Sequence, residues 1–347
     1  MTTTVEADDQ VTDDRLTSVS RGRRILMTPE FGAAAAAVLI FVVFASIRPV
    51  MASQAGIANF LDPSATLGIM AVMVAMLMIG GEFDLSAGVL TGSTALVTAL
   101  CTTQLDMNVW YAMGLSLLFA LLVGAANGLL VHHTGLPSFI ITLGTMFILW
   151  GLNYAVTTRL TDQVTVGGLG DYNGYASAEA IFGSSFQGFQ ISLLWWLALT
   201  ALGAFVLSRL RFGNWVFAVG GNPDAARAVG VPVRRVRISL FMGVAAAAWV
   251  VGQLTVVRYA SATVTTGIGA EFNFIIAAVI GGCLLTGGAG SIIGASIGAL
   301  IFGMVQQGMP LVGLPSEFFK FFLGVILLGA VLVNLWVSRR AQKVRAV

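Results

Sequence analysis

The chain has 347 residues, 57% hydrophobic and 10% charged, with a formal net charge of +2. This composition excludes a soluble domain and points to an integral membrane protein. The basic residues are scattered among loops and form no nucleic-acid-binding face, and Cys101 and Cys283 sit in apolar or Gly-rich surroundings without metal or redox spacing.

Residues 1–20 are polar and acidic and lack the apolar core of a signal peptide, so a disordered cytoplasmic tail is expected over residues 1–30. Hydropathy then predicts spanning helices at 31–50, 64–80, 86–104, 110–131, 138–157, 190–208, 236–257, 271–285, 291–309 and 317–337. The expected fold is an all-α polytopic bundle of about ten spans over residues 31–337, with a basic cytoplasmic tail at 338–347. Short polar/apolar alternation, the mark of a transmembrane barrel, is missing. Basic or His-containing turns at 21–24, 132–135, 208–213, 233–237 and 338–345 fall on one side if both termini are cytoplasmic. The second and eighth spans are short and end in Gly-rich breaks, which makes either a candidate re-entrant segment. Residues 158–189 form the longest outer connection, with one short helix expected in "ASAEAIFG", and serve as a partner-docking loop or a plain linker. Gly290, Gly294 and Gly298, four apart, predict close helix packing.

Within "IGGEFDLSAG" at 79–88, Glu82 and Asp84 interrupt lipid-compatible sequence. An Asp at the centre of a spanning helix costs roughly 2.5–3.5 kcal/mol. The predicted topology moves both acids to the cytoplasmic end, where Gly80 and Gly81 permit a break and Asp84 reads as the N-cap of the next helix. A capping role and a role in an inner gate, with Glu82 and Ser86, both remain open.

The loop at 212–235 carries a short helix of its own. Asn222 suits an N-cap, Pro223 the first helical position, Asp224 the first turn and Gly230 the position after the end. Such a helix is too short to stand alone and must dock, either on the membrane domain or in a groove on a soluble motor subunit, with Arg227 offering a charge-assisted contact.

"DAARAVG" at 224–230 resembles the EAA-x3-G coupling loop of ATP-binding-cassette importer permeases, with Asp224 in place of Glu. "GGEFDLSAG", "LPSFIITLGTMFILWGL" at 136–152 and "IIAAVIGGCLLTGGAGSIIGASIGALIFGMVQQGM" at 275–309 resemble the ribose/xylose/galactose-type branch. The first departs from the family's common Gly-Gly-Ile-Asp-Leu-Ser by an extra acid, which weakens transfer of substrate identity.

The resemblance implies a type II importer fold and a permease working as two copies in a bacterial cytoplasmic membrane. It also implies an ATPase subunit beneath, carrying ATP and Mg, and an extracytoplasmic sugar-binding protein that delivers a monosaccharide, sugar alcohol or similar polyol. The chain itself has no G-x-x-x-x-G-K-[ST] loop, so no cofactor is assigned to it and hydrolysis falls to the partner. The coupling residues then expected are Gly220, Gly221, Asn222, Asp224, Ala225, Ala226, Arg227 and Gly230. Asn127, Phe139, Thr142, Asn153 and Asn273 are translocation-path candidates, each Asn or Thr equally suited to an interhelical hydrogen bond. Arg258 and Glu271 are outer-face charges that would seat the binding protein or simply mark the interface. His132 and His133 lack a third ligand, so no metal is assigned. The alternatives are a secondary transporter or facilitator and a non-transporting structural or signalling subunit.

Overall fold

A computed structural model describes residues 29–315, 317–329 and 332. The N-terminal tail, the basic tail at 338–347 and the basic runs at 21–24 and 338–345 lie outside the described residues.

Each predicted span overlaps a helix. In chain order these are α1 (Pro29–Ile47), α2 (Gln54–Ile79), α3 (Ala87–Gln104), α4 (Val109–Thr134) and α5 (Ser138–Thr161). After the long connection come α6 (Tyr175–Ala178), α7 (Ser192–Arg209), α8 (Arg211–Gly221), α9 (Pro223–Ala228), α10 (Val233–Tyr259), α11 (Ala270–Ile280), α12 (Ile292–Leu311) and α13 (Phe318–Gly329). Seven of them, α1, α2, α4, α5, α7, α10 and α12, are long and apolar enough to cross a membrane. Helix α3 has 18 residues but buries a hydroxyl-rich surface, including Thr91, Thr94, Thr98 and Thr102. Helix α11 has 11 residues, which at about 1.5 Å per residue cannot cross a hydrocarbon core of about 30 Å.

Helices α2, α10 and α12 form the centre, and α1, α5 and α7 the periphery. The "GIMAVMVAMLMI" run of α2 is apolar on every side, so it is buried on every side. On α5, Phe139, Phe147, Ile148 and Trp150 face outward, as lipid contact requires. The packing of α12 on α11 is main chain to main chain: a Cβ on Gly294 or Gly298 would strike the carbonyl oxygens of Gly281 and Ala277.

Helix α2 has 26 residues, beginning ten before the predicted span. Pro63 lies inside the helix, where Ser64 Oγ donates to the Phe60 carbonyl at 2.6 Å and Thr66 Oγ1 to that of Pro63 at 3.3 Å. The first part of the 212–235 loop is also helical. Gly213, Val216 and Val219 are buried in α8 at i, i+3, i+6, a spacing that the glycines at both ends obscured.

The bundle has two unlike ends. At one, β1 (Thr165–Gly167) pairs antiparallel with β4 (Ser261–Thr263), and β2 (Ser185–Phe186) with β3 (Phe189–Gln190). Tyr175 donates to the Val257 carbonyl at 2.6 Å and Gln54 Nε2 to the Gln187 carbonyl at 2.9 Å, fastening the outer connection to the helices. The expected helix in "ASAEAIFG" is α6 followed by a single π turn at Glu179–Gly183. The other end gathers the glycine-rich breaks, α8 and α9.

Candidate functional site: the glycine end and the hairpin-end cavity

Helix α2 stops in a Schellman motif: Gly81 has φ +83, its amide donates to the Met78 carbonyl, and the Glu82 amide donates to that of Leu77. Helix α11 stops the same way at Gly282 (φ +91), with Cys283 bonding back to Ala278. The chain after α11 then folds over the end of α2, where the Gly288 amide donates to the Ile79 carbonyl at 2.9 Å. Gly220, at the end of α8, fills the remaining gap. A Cβ on it would strike the Ile79 carbonyl oxygen and lie 2.7 Å from the Gly288 nitrogen. Three glycine pairs from separate motifs, at 80–81, 220–221 and 287–288, thus form one joint. Gly221 has open space around it.

The acids hang from this joint, in the connection between α2 and α3. Asp84 is 2% exposed, and its Oδ1 accepts from the Ser86 amide at 2.9 Å and the Ser86 hydroxyl at 2.5 Å. The N-cap position of α3 is Ser86, whose side chain makes no capping bond, while the Asp84 carboxylate accepts the Ser86 amide in the turn that leads into the helix. Ser86 Oγ accepts from Asn127 Nδ2 at 3.0 Å, and Asn127 Oδ1 accepts from Thr145 at 2.7 Å. Ser138 and Thr142, one turn apart on α5, accept the Phe83 and Leu85 amides at 2.9 and 3.0 Å. Hydroxyls at i, i+4, i+7 on α5 thus hold the acidic loop or its bracing network. Glu82 meets Arg237 Nε at 2.7 Å, a charge contact without a well-aligned N–H. Burial raises the Asp84 carboxyl to about 6 against the opposing hydrogen bonds of Ser86, and Asp84 Oδ2 has no hydrogen-bond partner among the described residues. Burial also raises Glu82, with Arg237 pulling the other way.

Helix α9 forms as its residues predict. The Asn222 side chain accepts from the Asp224 and Ala225 amides, both at 3.0 Å, and Gly230 (φ +85) and Val231 close a third Schellman motif on Arg227 and Ala226. Ala226 is buried against the chain itself, whereas Asp224, Ala225, Arg227 and Val229 are exposed. The short helix therefore docks on the membrane domain by one side and presents the other.

Among the translocation-path candidates, Asn127 and Thr142 belong to the hydrogen-bonded support of the acidic loop, and Phe139 is half exposed on the outer surface of α5. Asn153 is nearly buried with its amide nitrogen unpartnered. Only Asn273 lines the cavity of about 540 Å³ that opens at the hairpin end between α2, α10, α11 and α12. Its wall carries an ion pair that sequence reasoning missed. Arg258 Nη1 lies 2.8 Å from both oxygens of Asp62. Asn59 and Asp62 fall outside the span predicted at 64–80, so their i, i+3, i+7 spacing with Thr66 on one helix went unread. Glu271 is buried, 3% exposed, and is not a surface charge. His132 and His133 stack edge to face, and no cluster of metal-ligating side chains occurs among the described residues.

A bundle of apolar helices with a short capped helix exposed at one end and a polar cavity open at the other suits a transport permease. The chain belongs to the family described as branched-chain amino acid transport system / permease component, whose model matches residues 56–331. It is 33% identical over 316 residues to the probable ABC transporter permease protein YphD of Escherichia coli, covering 91% of this chain and 92% of the relative. The ribose import permease protein RbsC of Escherichia coli is 30% identical, with 86% and 91% covered. The autoinducer 2 import system permease protein LsrD of Klebsiella pneumoniae is 31% identical, with 77% and 79% covered. No solved structure matches. Family and apolar helices together make the chain a multi-pass protein of the bacterial cytoplasmic membrane.

Proposed function

We propose that the chain is the membrane-embedded permease subunit of an ATP-driven importer for a monosaccharide, sugar alcohol or similar polyol. Two copies would work with a separate ATPase and an extracytoplasmic sugar-binding protein. In this reading the glycine end faces the cytoplasm, both termini lie there, and ten helices or half-helices cross or enter the bilayer. Six arginines, Arg209, Arg211, Arg227, Arg234, Arg235 and Arg237, support that orientation, against Arg48, Arg159, Arg258 and Lys320 at the hairpin end.

The observation that carries the proposal is α9. It is a capped helix of six residues whose Ala226 side is seated on the permease and whose Ala225, Arg227 and Val229 surface is free for a motor subunit. ATP binding there would move α9, and through the glycine joint the ends of α2 and α11. Import of ribose and of autoinducer 2 by relatives supports a sugar-type cargo.

The test is affinity purification of the chain from its own host. Recovery of an ATPase, lost in Ala225→Arg/Val229→Arg with the bundle still folded, is the expected result. Ala226→Arg is the wrong probe, because that residue packs inside the chain. The buried, half-unpartnered Asp84 favours one other reading, a proton-coupled secondary transporter. Sugar uptake by the chain alone in liposomes, driven by a pH gradient, would establish it and overturn the importer.

A further inference from the structure

We propose that the acidic segment of residues 1–14 seats on the arginine-lined surface of the glycine end and occupies it beside α9 until a partner displaces it. The seat rests on charge and attachment; only its consequence, competition with a motor subunit, rests on the importer reading.

Four helices that pack on one another, α7 to α10, gather arginines at this end. Arg209 closes α7, Arg211 opens α8, Arg227 lies on α9, and Arg234, Arg235 and Arg237 lie in the first two turns of α10. All but Arg237 are exposed. Arg237 is taken by Glu82 at 2.7 Å and Arg227 by Asp224 at 3.3 Å. Arg209, Arg211, Arg234 and Arg235 have no carboxylate within ion-pairing distance among the described residues. Acids that could offset them stand elsewhere: Asp106, Asp162, Asp171 and Glu179 lie in or beside the hairpin-end connections. The glycine end therefore keeps a surplus of guanidinium groups, which pair best with carboxylates.

A segment of the opposite sign is tied to this same end. Residues 1–14 carry Glu6, Asp8, Asp9, Asp13 and Asp14 and no Lys or Arg. The chain enters the bundle at Pro29, and Glu30 lines a groove of about 220 Å³ together with Leu207, Ser208 and Ser291. Ser208 precedes Arg209, so the point of entry adjoins the arginines. Residues 15–28 reach at most roughly 50 Å, whereas α8, which leads from Arg211 toward α9, is about 16 Å long. Because the contact is intramolecular, it competes at an effective concentration of roughly millimolar. In the cytoplasmic orientation the anionic leaflet repels these acids, which leaves the arginine surface as their counterpart.

The experiment uses the full chain carrying Arg234→Lys and Arg235→Lys, which keep both charges and add amines, in phosphatidylcholine nanodiscs with and without phosphatidylglycerol. A zero-length carbodiimide joins carboxylates to amines in contact, and mass spectrometry of the peptides identifies the pairs. Coupling of residues 6–14 to positions 234 and 235 is expected at about 10 mM salt, falling about fivefold at about 1 M as the Debye length drops from about 30 Å to about 3 Å. Coupling to Lys343 in place of those positions would assign the segment to the basic stretch at 338–345. Coupling abolished by phosphatidylglycerol would assign the arginines to lipid headgroups. Either result, or no coupling, overturns the proposal. Competition is read in the affinity purification, where Asp8→Asn/Asp9→Asn/Asp13→Asn/Asp14→Asn is expected to raise ATPase recovery about threefold. Unchanged recovery overturns the competition and leaves the seat. No ATPase enters the nanodisc assay, so a chain that never recovers one refutes the importer reading while the coupling result stands.

Discussion

At the glycine end, three backbone segments meet with no side chain between them, whereas at the hairpin end α2, α10, α11 and α12 stand apart around a cavity of about 540 Å³. Helices α2 and α11 take part in both. What differs is the residue type: Gly81, Gly220, Gly287 and Gly288 let main chains touch, while Asn59, Asp62, Arg258 and Gln307 line the open space with polar groups. One end is thus closed by main chain and the other stands open. Substitutions should therefore cost more stability at the first than at the second.

The largest effect is expected at the Glu82–Arg237 contact. Arg237→Met leaves a buried carboxylate without its cation and should destabilise the chain by about 3–5 kcal/mol, read as the midpoint shift in thermal unfolding of detergent-purified protein. Adding Glu82→Gln should recover much of the loss. If the double variant is no better than the single, the charge contact is not what matters.

Next comes Gly220→Ala, at about 3 kcal/mol, because the new methyl meets main chain that cannot yield. Its neighbour is the control. Gly221→Ala enters open space and should fall within about 0.5 kcal/mol of the parent. Equal behaviour of the two would dissolve the idea of a glycine joint.

A pH dependence is expected from Asp84. Its carboxyl is raised from 3.8 to about 6 in the fold, so the folded state favours the protonated form. The stability this group contributes is full below about pH 4 and is lost as pH rises through about 6, a fall of about 3 kcal/mol for a shift of about two units. Asp84→Asn keeps an acceptor for Ser86 and should flatten that part of the profile. A variant whose unfolding midpoint follows pH as steeply as the parent would show that another group titrates.

Smaller effects close the series. Asn222→Ala removes the acceptor for two amides and should cost about 1 kcal/mol, with loss of ATPase recovery exceeding the loss of thermal stability. Asp62→Asn, in a partly exposed pair, should cost under about 1 kcal/mol. The thermal midpoint of the detergent-purified protein reads that loss, and a cost of several kcal/mol would show that the pair behaves as a buried one.

Helix positions were legible because long apolar runs have few alternatives, and α9 was legible because Asn222, Pro223 and Gly230 each act locally. The acidic loop was half legible. Its position at a helix break follows from Gly80 and Gly81, but the bonds that Asn127 and Thr145 bring to Ser86 come from helices distant in sequence. The glycine joint and the Asp62–Arg258 pair were not legible, since both depend on which helix ends share space. Pro63 lies inside α2 although it has no amide to give the Asn59 carbonyl one turn back, and the Ser64 and Thr66 hydroxyls bond other carbonyls.

A joint made only of main chain has no rotamers to flip, so it works without backlash. A push on α8 reaches the Ile79 carbonyl and residues 287–288 undiminished, because no side chain stands between them to bend and absorb it. No side chain can rotate there to part the three segments, so they separate only if whole helices move.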